Sequence, residues 1–238
     1  LLDEYGNKFM VCEAPTDAVG FSAADSCGSA FAFGLQKHII KTVKFGRVSD
    51  ELTSYLEKNP VGRMSTILSN HDAFAGVRLF NQFNGNEKEY KMAIATLLTL
   101  PGRPFLYYGE EIGISRAPEQ NYEDQEIRPP MSWNNSKSAG FSESRKLFRA
   151  NAENWETHNV EAESKDPNSF LNYYKGLIAL RTNNPTLSEG DYVRVPFKDQ
   201  SVLAFMRSLN GKRSLVILNY SEKPVKGSLK MAKATTAS

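Results

Sequence analysis

Three apolar segments of this chain each run into a carboxylate, a side chain that can donate or accept a proton in catalysis. Residues 9–12 lead into Glu13, residues 64–69 lead into Asn70, His71 and Asp72, and residues 104–108 lead into Glu110. The end of a buried strand suits catalysis because the backbone is fixed there while the side chain reaches open space. The three segments therefore predict acid–base chemistry at one rim of a sheet.

The elements that must position these groups alternate between short apolar strands and helical periodicity, which predicts an α/β fold with a parallel sheet. The predicted strands are residues 9–13, 30–33, 65–69 and 104–108, and the predicted helices are residues 35–45, 49–58, 87–100 and 169–182. Residues 114–150 carry few regular signals and are predicted to form a long loop. In a barrel such a loop lies at the active rim.

A second pattern begins near residue 190, where three alternating strands are predicted at residues 192–196, 202–207 and 214–219. Asn210-Gly211 between two of them is a strong hairpin signal. The sequence therefore predicts two domains, an α/β domain at residues 1–188 and an antiparallel β domain at residues 189–238. The residues after Lys230 are predicted to be a frayed tail.

The composition excludes several classes of function. A net charge of +2 on 238 residues indicates neither a nucleic-acid partner nor an anionic membrane surface. No run of eighteen apolar residues, phosphate loop or nucleotide fingerprint is present. Cys12 and Cys27 are the only cysteines, too few for a structural zinc site, and we expect both to be unpaired.

Four blocks, in this order, resemble the alpha-amylase family of glycoside hydrolases, family 13. They are residues 68–72, residues 101–113 (PGRPFLYYGEEIG), residues 127–133 (IRPPMSW) and the helical stretch at residues 172–185. The resemblance implies the second half, strands five to eight, of a (β/α)8 TIM barrel, followed by a truncated all-β domain. It also implies retaining hydrolysis of alpha-glucosidic bonds in starch, maltodextrin or related oligosaccharides. The family's nucleophilic Asp lies on a strand before the one that carries Glu13, so we expect this chain to be a fragment without it.

The resemblance assigns roles to individual residues at the rim. Glu13 and Asp72 would be catalytic, Glu13 as general acid/base and Asp72 as the carboxylate that holds sugar hydroxyls while the ring distorts. The apolar run before Glu13 would desolvate its carboxyl group and favour the protonated form. The substrate-binding set is His71, Asn70, Arg128 and Tyr108, in which Asn70 has the additional task of orienting the turn.

The remaining charged residues near these motifs are predicted to be structural. Glu110 and Glu111 are adjacent and cannot flank one glycosidic bond, so we expect them to pair with Arg103, Arg116 or Arg128 and hold the long loop. Arg78 is expected to anchor the rim through an ion pair. No cofactor is predicted. Calcium is common in the resembled family, but its ligands are expected outside this chain, and no metal is assigned.

Two hypotheses of different class remain at this stage. The first is an alpha-amylase or alpha-glucosidase type of enzyme, in which amylase, trehalose-forming isomerase and transglycosylase activities are not distinguished. The second is a non-catalytic carbohydrate-binding fragment or subunit. Either way, a half barrel has two open sheet edges, so we expect a partner, either the missing N-terminal half or a second copy of the chain. The start of the chain assigns no compartment, and secretion or a periplasmic location stays open.

Overall fold

A computed structural model describes residues 4–118, 123–144 and 146–229 of the chain. Four parallel segments lie side by side in chain order. Cys12 pairs with Ala30, Phe31 pairs with Ser65, and strand β1 (Ser65–Thr66) pairs with strand β2 (Arg103–Pro104). The predicted parallel arrangement of these four segments is confirmed.

The regular strands of the parallel array are shorter than the sequence predicted. Beyond β1, the hydrogen bond from the Phe105 N–H to the Thr66 carbonyl is the last backbone bond across this pair. The residues that follow bond within their own turns instead, as when the Asn70 side chain accepts from the Asp72 N–H. The apolar runs thus continue towards the rim, but as irregular backbone.

Nine α-helices lie within the described residues. They are α1 (Ala18–Phe21), α2 (Leu35–Phe45), α3 (Asp50–Lys58), α4 (Leu79–Gln82), α5 (Glu87–Thr99), α6 (Glu123–Glu126), α7 (Val160–Lys165), α8 (Phe170–Thr182) and α9 (Pro185–Glu189). The four predicted helices correspond to α2, α3, α5 and α8. Ser49 and Ser169 precede α3 and α8 as N-caps, and their side chains accept from Leu52 N–H and Asn172 N–H.

Helix α5 lies at the centre of the hydrophobic core. Tyr90, Ala93, Ile94, Leu97 and Leu98 of this helix are all buried. They pack with buried residues of α2, α3 and α8 in one continuous cluster. An apolar helix surrounded in this way fixes the position of β2, which follows it after three residues.

The antiparallel sheet consists of β3 (Asp191–Val195), β4 (Val202–Leu209) and β5 (Lys212–Asn219), in the order β3-β4-β5. The predicted hairpin is confirmed: Asn210 and Gly211 both have positive φ angles, at 48° and 77°. Leu203 and Phe205 of β4 join the same buried cluster as the helices. The sheet is therefore packed directly on the α/β part.

Two buried arginines fasten these parts together at the end of α5. Arg181 of α8 donates to the carbonyls of Leu98, Leu100 and Gly102. Arg207 of β4 donates to the carbonyls of Thr99 and Gly190. The last carbonyls of a helix need such partners because they have none within the helix.

The predicted long loop is confirmed over the described residues between Gly113 and Ala150. It contains only the short helix α6 and a turn at Lys137–Gly140. No helix among the described residues is long and apolar enough to cross a membrane. The predicted frayed tail, residues 231–238, lies outside the described part of the chain.

Candidate functional site at the carboxyl ends of the parallel segments

The order of the parallel segments places Glu13 and Asp72 at the same edge of the sheet. Glu13 follows the segment at Cys12, and Asp72 follows β1, which is two positions away in the array. Because parallel strands point the same way, their carboxyl ends meet at one rim. Glu110 follows β2 and reaches the same end, although its side chain turns into the interior.

Asp72 is held at the start of a tight turn. Its N–H donates to the Asn70 side-chain oxygen at 2.9 Å, and its carbonyl accepts from Ala75 N–H at 3.0 Å. The next residue, Ala73, donates its N–H to the Asp124 carboxylate at 2.8 Å. This agrees with the predicted role of Asn70 in orienting the turn.

The Asp72 carboxylate contacts a guanidinium group and an imidazole. Arg128 Nη2 lies 3.0 Å from Asp72 Oδ1, and His71 Nε2 lies 3.4 Å from Asp72 Oδ2. Arg128 also donates from Nε to the His71 carbonyl at 2.7 Å and from Nη2 to Asp124 at 2.9 Å. A cation held this close fixes the direction of the Asp72 oxygens. Asp124 completes this cluster and was missed at the sequence level, because nothing marks one acidic residue within a long polar loop.

The side chains of His71 and Tyr108 are exposed to solvent at this rim. The His71 side chain is 59% exposed and Tyr108 is 40% exposed. The Tyr108 hydroxyl donates to the Pro129 carbonyl at 2.6 Å, so the ring is fixed beside Arg128. An exposed imidazole with a fixed aromatic ring near a carboxylate offers both hydrogen bonds and a stacking surface.

A cavity of about 350 Å³ opens next to this cluster. Tyr108 and Arg128 form one side of it, and Met131, Phe141 and Phe148 form much of the remainder. A volume of this size falls at the lower end of the range for small-molecule sites. Arg128 belongs both to the lining of this cavity and to the Asp72 cluster.

Glu13 is exposed to solvent, so the described residues do not supply the desolvation that the preceding apolar run predicted. Its neighbour Cys12 forms a disulfide bond with Cys27, and the prediction that both thiols are unpaired was wrong. The two cysteines have a sequence separation of 15, and that spacing alone does not reveal that the intervening loop folds back on the segment that carries Cys12. The cross-link closes the loop that begins at Glu13.

The predicted ion pairs of Glu110 are also wrong. Glu110 is buried and accepts from the Ser69 hydroxyl at 2.5 Å and from Tyr107 N–H at 3.3 Å. Burial raises the pKa of Glu110 to about 7, against the lowering effects of the Ser69 hydrogen bond and the Arg78 charge. Arg128 pairs with Asp72 and Asp124 instead.

Arg78 is buried as well, and the structure gives it no ion pair among the described residues. Its guanidinium carbon lies 4.1 Å from the ring centre of Tyr107 and 4.5 Å from that of Tyr108. It also donates to the Tyr108 carbonyl. Cation–π contacts with two tyrosines therefore replace the expected salt bridge.

The residues at this rim do not fit a calcium site. Over the described part of the chain, no three His, Cys, Asp or Glu side chains converge in a way that would hold a metal ion. Asp72 and Asp124, the two carboxylates of this cluster, already share the Arg128 guanidinium group. No step at this site is therefore assigned to a metal.

Comparison with known proteins gives one family. The sequence model described as "Alpha amylase, catalytic domain" matches residues 20–190. An alpha-glucosidase of Apis mellifera is 31% identical over 248 aligned positions, which cover 93% of this chain and 42% of that protein. The amino acid transporter heavy chain SLC3A1 of Homo sapiens is 31% identical over 201 positions, which cover 81% of this chain and 28% of that protein.

Among solved structures, the crystal structure of an alpha-amylase from H. orenii superimposes with a TM-score of 0.71 at 27% identity. The match covers 94% of this chain and 46% of that one. The chain thus spans less than half the length of each of these three proteins.

Proposed function

This chain belongs to the alpha-amylase family of glycoside hydrolases, family 13, and we propose that it forms part of a retaining enzyme that acts on alpha-glucosidic bonds. The observation that carries the proposal is the position of Glu13 and Asp72 at one rim, with Asp72 bound to Arg128 beside an exposed His71. The α/β portion is a partial TIM barrel. We assign its four parallel segments to strands five to eight.

Glu13 is the proposed general acid/base. It protonates the leaving oxygen of the substrate in the first step, and it takes a proton from water in the second. Its exposed position in this chain means that the apolar surroundings needed to keep it protonated come from the remainder of the barrel or from the bound sugar.

Asp72 is proposed to bind hydroxyl groups of the sugar in the subsite where the bond breaks. Arg128 fixes the direction of the carboxylate oxygens, and their bonds to the hydroxyls strengthen as positive charge develops on the ring. His71 donates a further hydrogen bond, and Tyr108 supplies a stacking surface. Asn70 serves this set by holding the turn.

The nucleophilic carboxylate is proposed to come from outside this chain, on a strand that pairs beside the Cys12 segment. Phe9, Phe105 and Leu106 at the sheet are partly exposed large apolar side chains, as expected if another part of a barrel covers them. The N-terminal half of a barrel is the proposed partner, and a second copy of this chain is the alternative.

A second candidate function is a carbohydrate-binding subunit without turnover. The observation that favours it is the exposed position of Glu13, whose carboxyl group has no apolar surroundings in the described part of the chain. A relative named as a transporter heavy chain, at 31% identity, is in keeping with a member of this family that serves another role.

The test is an assay of the native protein that contains this chain, together with residues 1–238 alone, on maltose and maltodextrin. We expect the native protein to release glucose or maltose with retention of the anomeric configuration. NMR spectra of the released sugar measure that configuration. Residues 1–238 alone should stay at background. Maltodextrin binding without turnover by the native protein would favour the subunit, and neither binding nor turnover would overturn both proposals. Turnover by residues 1–238 that is lost in Glu13→Gln would contradict an external nucleophile.

A further inference from the structure

Buried Glu110 connects the segment that carries Asp72 to the segment that carries Tyr107. One carboxylate oxygen accepts from the hydroxyl of Ser69, which directly precedes Asn70-His71-Asp72, and the other accepts from Tyr107 N–H. Glu110 and Ser69 are each 1% exposed. From the buried interior, the Glu110 carboxylate therefore binds the segment that leads to Asp72.

Tyr107 and Tyr108 extend this connection to the far side of the site. The Tyr107 hydroxyl donates to the Ile127 carbonyl at 3.2 Å, and the Tyr108 hydroxyl donates to the Pro129 carbonyl at 2.6 Å. These two carbonyls lie immediately before and after Arg128. Both tyrosines thus fix the backbone from which the Arg128 side chain reaches Asp72.

Arg78 holds the two tyrosines from the interior. Its guanidinium group lies over both rings and donates from Nη1 to the Tyr108 carbonyl. Its Nε and Nη2 are buried without a hydrogen-bond partner among the described residues. The cation is therefore stabilised by the aromatic faces, which ties the orientation of the two rings to Arg78.

These contacts form a closed circuit that runs from Asp72 through Ser69, Glu110, the two tyrosines and Arg128 back to Asp72. We propose that Glu110 is a positioning residue for the Asp72–Arg128 pair, acting through Ser69 on one side and through Tyr107 on the other. The effect of Glu110 on turnover rests on the proposed function, whereas its effect on the Asp72–Arg128 contact does not.

The ionised form of Glu110 is the one that completes the circuit. Both partners donate to it in the structure, and protonation would turn one of its oxygens into a donor that only a reversed Ser69 hydroxyl could accept. The charged or titratable groups that act on it are Arg78 and Glu111, with Tyr90 and Tyr174 of the packed helices. Of these, only Arg78 favours the ionised form. Since burial raises the pKa of Glu110 to about 7, the circuit should be complete above neutral pH and weakened below it.

The experiment compares Glu110→Gln with wild type and with Glu111→Gln, a matched control at the adjacent position. Gln keeps the shape but replaces one acceptor oxygen with an amide N–H2 group, which either opposes Tyr107 N–H or reverses the hydrogen bond with the Ser69 hydroxyl. Crystal structures at pH 8 should show the Asp72–Arg128 contact lengthened beyond hydrogen-bond distance in Glu110→Gln and retained in Glu111→Gln. Ser69→Ala, which removes only a hydroxyl group, provides the same comparison if Glu110→Gln does not fold.

The kinetic arm uses the native enzyme and an aryl alpha-glucoside between pH 5 and 9. We expect Glu110→Gln to lower kcat by ~10²-fold with a smaller change in KM, as for a misplaced catalytic group. The decline of wild-type kcat below pH 7 should disappear in this variant and persist in Glu111→Gln. An unchanged Asp72–Arg128 contact in both Glu110→Gln and Ser69→Ala would overturn the proposal. If no form cleaves the glucoside, the proposed function fails, and the crystal structures still decide the role of Glu110.

Discussion

The Asp72 carboxylate and the Arg128 guanidinium group lie 3.0 Å apart although 56 residues separate them in sequence. Arg128 also donates to the carbonyl of His71 at 2.7 Å. One guanidinium group thus fixes both the carboxylate and the backbone of the residue before it. The planar fork of arginine makes several directed hydrogen bonds at once, which a lysine ammonium group cannot reproduce.

The first prediction concerns this fork. Arg128→Lys keeps the positive charge but loses simultaneous contact with Asp72, Asp124 and the His71 carbonyl, so kcat of the native enzyme should fall by ~10²-fold. Arg103→Lys is the control, because Arg103 lies at the opposite end of β2 and bonds to the Arg63 carbonyl. Steady-state kinetics on maltose measure both variants. Equal activity in Arg128→Lys and wild type would show that charge alone suffices.

The second prediction separates the two catalytic candidates. Glu13→Gln should reduce turnover of maltose by ~10²–10⁴-fold, because the leaving oxygen then lacks its proton donor. It should spare substrates such as dinitrophenyl alpha-glucoside, whose leaving group needs no proton in the first step. Asp72→Asn should impair both substrates alike, chiefly in kcat, because its contact strengthens in the transition state. The assignment of roles would be contradicted if Glu13→Gln and Asp72→Asn lost activity on maltose and on dinitrophenyl alpha-glucoside in the same ratio.

The sequence predicted the fold well where the local signals are strong. Helices α2, α3, α5 and α8 follow from apolar spacing and from caps such as Ser49 and Ser169. The hairpin at Asn210-Gly211 follows from residues that tolerate positive φ. The parallel segments were located correctly but drawn too long, because an apolar run does not reveal where its backbone pairing ends.

The burial of Glu110, which the sequence did not predict, depends on backbone conformation. Gly109 has a φ angle of 83°, and the turn that follows it directs Glu110 into the core. Glu110 and Glu111 are chemically identical neighbours, so composition and spacing could not tell which one is buried. The Cys12–Cys27 bond was not predicted for a similar reason. It depends on how a loop without strong periodicity folds back on the segment that carries Cys12.

The third prediction concerns assembly. Unpaired backbone at the two edges of the parallel array, together with exposed Phe9 and Phe105, should drive association of residues 1–238 or leave them poorly folded. Light scattering between about 1 and 100 μM, a range that brackets ordinary micromolar association, should show a mass that rises with concentration. A sharply melting monomer throughout this range would contradict the expectation of a partner.

The fourth prediction concerns the cross-link beside Glu13. The Cys12–Cys27 bond closes a loop with a sequence separation of 15, for which loop-closure entropy gives a stabilisation of about 3 kcal/mol. The double variant Cys12→Ser/Cys27→Ser should unfold at a lower urea concentration than the wild type. Reductant should lower the wild-type midpoint to that of the variant and leave the variant unchanged. A wild-type midpoint that does not respond to reductant would mean that the bond contributes nothing to stability.

The last prediction is the pH dependence of stability that Glu110 confers. Its pKa of about 7 in the folded protein exceeds the ordinary value of 4.5, so the folded state binds this proton more tightly than the unfolded state. The contribution of Glu110 is fully present below pH 4.5 and is lost as the pH rises through 7. The loss corresponds to about 3 kcal/mol, because each unit of pKa difference is worth about 1.4 kcal/mol.

Glu110→Gln carries no ionisable group at this position and should lack that decline. The free energy of unfolding in urea, compared between pH 5 and pH 8, should therefore fall further in wild type than in Glu110→Gln. Glu111→Gln should follow wild type, since it leaves the buried carboxyl group in place. Each protein is compared with itself at two pH values, so any difference in hydrogen bonding between the Glu and Gln side chains cancels from the comparison. Parallel declines in wild type and Glu110→Gln would show that Glu110 does not titrate between pH 5 and 8 in the folded protein, and would remove the proton-dependent part of its positioning role.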